Sequence, residues 1–294
     1  MGKYADRVTS GQATYLDRIV AVHREAAAND TRNTAALIRQ ASAKIEPTRG
    51  FRAVLTQSGL SVIAEVKRRS PSKGALNADL DPAQLGARYA AGGAACLSVL
   101  TDEAHFGGSV ADLQAARASS GLPVLRKDFT VCEADVCDAR LMGADCVLLI
   151  AAALSDSELE RFHRLAIQLG LDVLVEIHDE AELVRAMAVG ATLVGVNQRD
   201  LHTFAVDHDR ARRVARAIPD TVVRVAESGV RNVADAQSLA DAGFHAVLVG
   251  ESLVTSDDPE SAVRSLRSVR AQSEPVGSRH ALLVGGEVHH AARP

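Results

Sequence analysis

The chain has no tryptophan, four cysteines, no long apolar run and almost no net charge over its 294 residues. The missing tryptophan leaves a low indole fluorescence background. The cysteines, Cys96, Cys132, Cys137 and Cys146, show no C-x-x-C spacing, and three have apolar neighbours. That usage fits free thiols in a reducing compartment better than a metal site or a disulfide framework. The longest strongly apolar run, Cys146–Leu154, is nine residues, about half of what a membrane-spanning helix requires. No apolar signal core follows Met1-Gly2-Lys3-Tyr4, so a cytoplasmic protein is expected. With 33 Lys+Arg against 37 Asp+Glu, the formal charge of −4 provides no global basic field for nucleic acid or an anionic membrane. An anionic ligand must meet positive charge locally. The nucleotide-binding patterns G-x-G-x-x-G and G-x-x-x-x-G-K-[ST] are also missing after the first strand candidate.

What is present is the balance of an ordinary globular protein, 47% apolar and 24% charged. Short apolar runs alternate with amphipathic stretches. The strand candidates are residues 61–67, 95–100, 123–127, 145–150, 172–177, 192–197, 221–226 and 246–250, each apolar on both faces as helix-covered parallel strands should be. Helix starts are marked by Asp81-Pro82, Ser109, Ser155 and Ser256-Asp257-Asp258-Pro259. Each strand-helix unit spends roughly 26 residues, close to the period of an α/β fold of the (β/α)8 TIM barrel type. The expected organisation is an N-terminal helical extension or lid over residues 1–60, a barrel over 61–272 and a mobile tail over 273–294. In the extension, Tyr15, Leu16, Ile19, Val20 and His23 share a helical spacing, and a second helix is expected from Thr34 to Ala43. His289 and His290 in the tail are adjacent but isolated, a pattern that is usually inert.

Barrel chemistry sits at the C-terminal ends of the strands, and here those ends are polar. The first ends Ala64-Glu65-Val66-Lys67, and alternation puts Glu65 and Lys67 on one side. The third runs into Arg126-Lys127-Asp128-Phe129, the fifth closes on Glu176-Ile177-His178, the sixth on Asn197-Gln198-Arg199 and the seventh on Glu227-Ser228-Gly229. One charged residue at a strand end is usually a solvated rim group or a structural ion pair. Five such ends converging would cost several kcal/mol of desolvation unless the charges pair or function, which points to an active site. Glu227-Ser228-Gly229 and Gly250-Glu251-Ser252 put small residues where barrels build a phosphate cradle, with Ser70 and Lys67 able to complete it. The substrate is therefore expected to be a phosphorylated small molecule, and Glu251 must turn its carboxylate away from it.

The stretch Glu65-Val66-Lys67-Arg68-Arg69-Ser70-Pro71-Ser72-Lys73-Gly74 and the order of charged strand ends resemble the indole-3-glycerol-phosphate synthase family, from the N-terminal helices to about Leu266. The resemblance implies cyclisation, decarboxylation and dehydration of 1-(2-carboxyphenylamino)-1-deoxyribulose 5-phosphate to indole-3-glycerol phosphate in tryptophan synthesis, with no metal or organic cofactor. It further implies Lys127 as the acid that protonates the substrate ketone, with Glu176 and Lys67 sharing the acid and base work of dehydration. Glu65 would orient both lysines, Asn197, Glu227 and Ser228 would hold substrate hydroxyls, and Arg199 would face an anionic group. Leu100, Phe106 and Phe129 match positions that embrace the anthranilate ring, although as bare sequence they read equally well as core. Gly229, Gly250 and Glu251 complete the binding set. Gln198 departs from the asparagine of many relatives, and Glu251 from the serine of some. A monomer or weak oligomer is expected. The rival readings are a phosphosugar isomerase, a Schiff-base aldolase using Lys67 or Lys127, and a non-catalytic phosphometabolite-binding barrel.

Overall fold

Eight parallel strands close on themselves in the computed structural model, which describes residues 14–199 and 206–269. They are Ser61–Val66, Cys96–Leu100, Val124–Lys127, Cys146–Ile150, Asp172–Ile177, Leu193–Asn197, Val223–Glu227 and Ala246–Val249, called here the first to eighth strands. The first pairs with both the second and the eighth, Ser61 opposite Ala246 and Ile63 opposite Cys96, and the barrel is complete. All eight expected strands are present. The seventh begins two residues later than its apolar run suggests, because the Val222 N–H donates to Pro219 O in a turn.

Strand alternation sorts two apolar layers. Ile63, Leu125, Leu148, Leu174, Val225 and Leu248 point inward and fill the barrel, while Val62, Ala64, Val124, Val147, Val175 and Ala226 point outward beneath the helices. Phe51 and Leu55, both fully buried, belong to the inner cluster together with Leu16 and Val20 of the N-terminal helix. That helix, Tyr15–Asn29, starts on a Thr14–Asp17 capping box, and a second follows at Thr34–Ser42. Asp81, Ser109, Ser155 and Asp258 each cap a helix through the side chain, as their residue types foretell. Several short elements lie outside the sequence reading, and two of them sit at the ends of the barrel. A single helical turn, Phe51–Val54, follows the left-handed Gly50, and a two-residue-per-strand hairpin pairs Arg69–Ser70 with Gly74–Ala75 beside the mouth. The expected tail, with His289 and His290, lies outside the described residues. Among those described, no helix is long and apolar enough to cross a membrane.

Candidate active site

The inward alternation that packs Ile63, Leu125, Leu174 and Val225 delivers the next inward residues of the same strands to the mouth. These are Glu65, Lys127, Glu176 and Glu227. They line a cavity of about 660 Å³ together with Lys67, Asn197 and Ser228. The other residues singled out from sequence line it too, namely Ser70, Leu100, Phe106, Phe129, Arg199, Gly229, Gly250 and Glu251.

Two lysines sit in different electrostatic settings. Lys67 Nζ is ion-paired to Glu65 Oε1, whose other oxygen accepts from Ser98 Oγ at 3.4 Å. Lys127 Nζ lies 3.3 Å from Glu176 Oε2 and 3.8 Å from Glu227 Oε2. Glu65 was expected to orient both lysines, but it pairs directly with Lys67 and reaches Lys127 only through longer-range charge. Burial pulls the Lys127 pKa down, yet the charges of Glu176, Glu227 and Glu65 outweigh burial and hold it above the ordinary lysine value.

The two carboxylates beside Lys127 are driven apart. Glu176 is opposed by burial, but the Lys127 charge, His178 and the Asn197 amide keep it ionised and well below the usual range. Asn197 Nδ2 donates to Glu176 Oε1 at 3.0 Å. Glu227 is raised by burial and then by the Glu176 charge, so it holds its proton. Its Oε1 is buried with no hydrogen-bond partner in the protein. Such an ionised and protonated pair around one ammonium is the arrangement by which one site runs acid and base chemistry together.

The seventh-strand end is strained. Ser228 has φ +67°, the only non-glycine residue with a positive φ among those described, and Gly229 follows at +77°. The turn is held from beneath by Gln198, fully buried, whose Nε2 donates to Ser228 O at 2.8 Å while its Oε1 meets His208 Nδ1 at 3.1 Å. The sequence marks Gln198 only as a departure from the asparagine of many relatives, since nothing local betrays an amide that props a neighbouring strand's turn. Gln198→Ala is expected to release Ser228, raising KM several-fold and costing about 1–3 kcal/mol of stability. An unchanged KM alongside the lost stability would confine Gln198 to a structural role. The Ser228 hydroxyl donates to Asn197 Oδ1 at 2.9 Å, so its lone pairs remain free for a donor.

The eighth-strand end needs glycine for space, because a Cβ on Gly250 would collide with the Glu65 carboxylate and stand 3.0 Å from Lys67 Nζ. The Glu251 carboxylate turns outward to Lys73 Nζ at 3.5 Å. Phe106 closes the short helix Glu103–Phe106 that follows the second strand, and its ring lies 6.2 Å from that of Phe129. Sequence reading did not assign Lys73 or Arg231 to the cavity wall, nor Tyr15, Leu16 and Ile19, which bring the N-terminal helix over the mouth. Lys73 was within reach of it, as part of the quoted S-P-S-K-G stretch.

Comparison with known proteins bears on the fold and the family. A thiamine phosphate pyrophosphorylase from Pyrococcus furiosus superposes with a TM-score of 0.55 at 16% identity, over 74% of this chain and 96% of that one, a likeness of fold alone. An indole-3-glycerol phosphate synthase of a Nocardioides species is 51% identical over 87% of this chain and 99% of its own length. Indole-3-glycerol phosphate synthase 1 of Streptomyces coelicolor is 50% identical over 85% of this chain and 94% of its own. The family model for indole-3-glycerol phosphate synthase matches residues 16–266, and the chain belongs to that family.

Proposed function

We propose that the barrel mouth converts 1-(2-carboxyphenylamino)-1-deoxyribulose 5-phosphate to indole-3-glycerol phosphate, CO2 and water, with Lys127 as the acid of ring closure. The observation that carries this reading is the Lys127 ammonium set at the mouth between two buried carboxyl groups, 3.3 Å from Glu176 and 3.8 Å from Glu227. As the aromatic carbon bearing the carboxylate bonds to the ketone carbon, the ketone oxygen takes its proton from Lys127. The carbon–carboxylate bond then breaks, CO2 leaves, and its electron pair restores the aromatic ring. In the dehydration the new hydroxyl departs as water with a proton from Lys67, and Glu176 accepts the proton lost by the five-membered ring. Glu65 keeps Lys67 in place for that step.

The phosphate is held between Ser228-Gly229 and Gly250-Glu251, where left-handed backbone and bare glycines let N–H groups approach an anion. Arg199 faces the anionic end, and Leu100, Phe106 and Phe129 clasp the aromatic ring. The first helix acts as a lid, since its Leu16 and Ile19 line the mouth, whereas Phe51 and Leu55 close the opposite end of the barrel. Four free thiols support a cytoplasmic setting.

The test is indole fluorescence on adding the substrate to purified protein in EDTA, where the tryptophan-free chain contributes little background. Folded protein that binds the substrate without a rise in signal would overturn the proposal, and covalent trapping by borohydride would replace it with a Schiff-base mechanism. Ser228→Ala is expected to act mainly on KM, raising it about tenfold for the loss of a hydrogen bond to substrate. An unchanged KM would remove Ser228 from the substrate contacts.

A further inference from the structure

Three chain segments bring nitrogen and oxygen ligands to one point outside the reacting cluster. His23 projects from the N-terminal helix, Asp102 caps the short helix after the second strand, and His105 lies within that helix. His23 Nε2 is 2.9 Å and His105 Nδ1 3.0 Å from the same oxygen, Asp102 Oδ2, and the candidate ligand atoms all lie within 4.8 Å of one another. We propose that His23, Asp102 and His105 form a binding site for a borderline transition-metal dication such as Zn2+, which fastens the N-terminal helix to the rim of the barrel.

The geometry suits the ion. Imidazole nitrogen and carboxylate oxygen bind Zn2+ at about 2.0–2.2 Å, which places neighbouring ligands of a tetrahedron roughly 3.3–3.5 Å apart. The separations of 2.9 and 3.0 Å to Asp102 need only a few tenths of an ångström of spreading. The carboxylate is already oriented, because its other oxygen accepts from the backbone N–H groups of His105 and Phe106 at 2.5 and 3.2 Å. Hydrogen bonds of that kind to a ligating carboxylate fix its direction toward a metal. Asp102 is buried while both imidazoles keep about a fifth of their surface exposed, so an ion has a path inward and water can supply the fourth position. Asp128 Oδ1, 3.9 Å from His23 Nε2, adds negative charge on the far side, although Arg126 at 3.0 Å balances much of it. Two imidazoles and a carboxylate favour Zn2+ over Mg2+ or Ca2+, which take oxygen ligands.

The site is separate from the lysine and glutamate cluster, so its role is mechanical. His23 also packs on Phe129, with ring centroids 5.2 Å apart, and the same helix presents Leu16 and Ile19 to the cavity. An ion joining it to the helix that carries Phe106 would lower the freedom of the lid over the aromatic end of the cavity.

The experiment titrates Zn2+ into the full chain stripped with chelator, by calorimetry, with Co2+ absorption as a second probe. One equivalent is expected to bind with micromolar or tighter affinity, with visible tetrahedral Co2+ bands and no thiolate charge-transfer band. Saturating Zn2+ should raise Tm by about 5 °C. His23→Gln and His105→Gln, each checked for an unchanged fold by circular dichroism, should weaken binding at least tenfold and abolish the Tm rise. A His289→Gln/His290→Gln variant should bind as the parent does. The proposal is overturned by an absence of stoichiometric binding, by equal affinity in the His23 and His105 variants, by loss of binding in the tail variant, or by a thiolate band on Co2+.

Discussion

Lys127→Met lowers kcat by about 10³- to 10⁴-fold while KM stays within a few-fold, the expected signature of an acid used mainly in the transition state. Methionine keeps most of the volume and removes the proton, so the loss is chemical rather than a collapse of the cavity. A fall in kcat/KM that came from KM alone would contradict the role. The substitution carries a second, independent signature in stability. The parent holds Glu176 ionised through the Lys127 charge, so this carboxylate stabilises the fold above the unfolded-state pKa, and the contribution is lost as pH falls through its depressed folded value. Without the cation, Glu65, Glu176 and Glu227 face one another across the mouth, and a carboxyl must take up a proton to avoid a buried unpaired charge. A carboxyl with a raised folded pKa stabilises below its unfolded value and loses that contribution as pH rises. The variant should therefore become more stable on acidification from alkaline toward mildly acidic pH, a range over which the parent's Glu176 contribution is constant because it is lost only below the ordinary carboxylate range. Thermal melts of both proteins across that range read the sign directly, and parallel curves would mean that Lys127 does not hold Glu176 ionised.

The parts of the site legible in the sequence are those set by strand alternation. Glu65 and Lys67, two residues apart at the end of the first strand, have to share the inner face once Val62, Ala64 and Val66 are packed under helices. The same rule places Lys127, Glu176, Asn197 and Glu227, because each follows an inward apolar residue or glycine two positions earlier, Leu125, Leu174, Gly195 and Val225. Helix starts were equally legible, since a capping Asp or Ser acts within three residues. Features that depend on convergence between distant segments were not. His23 meets Asp102 across 79 residues, and its sequence signal is only a place on a helical stripe. Gln198 supports a turn 30 residues away through one amide. The turn at Phe51–Val54 is too short for a helical period, and its two large residues are recognisable as a barrel plug only once the barrel is closed.

Gly195→Ala should reduce kcat by at least about 100-fold and destabilise the barrel by about 1–3 kcal/mol or more, the range for overpacking a close-packed core. Gly195 lies in the middle of the sixth strand, where glycine weakens pairing and has no intrinsic reason to be placed. Its reason is across the barrel wall. A Cβ there would overlap Glu227 Oε1 and stand 3.2 Å from Leu174 Cδ1. The glycine is the hollow into which the protonated carboxyl of Glu227 folds, and that packing sets its other oxygen 3.8 Å from Lys127. Alanine would push Glu227 out of the hollow, separating it from Lys127 and altering the acid-base balance of the pair with Glu176. Because the collision is with one flexible side chain, it can be relieved by shortening that side chain. Gly195→Ala/Glu227→Ala should melt closer to Glu227→Ala than the two single losses would sum to, a favourable coupling measured by a double-mutant cycle. Strict additivity in the melts would show that the alanine clashes with Leu174 or the backbone instead, and that Gly195 does not make room for Glu227.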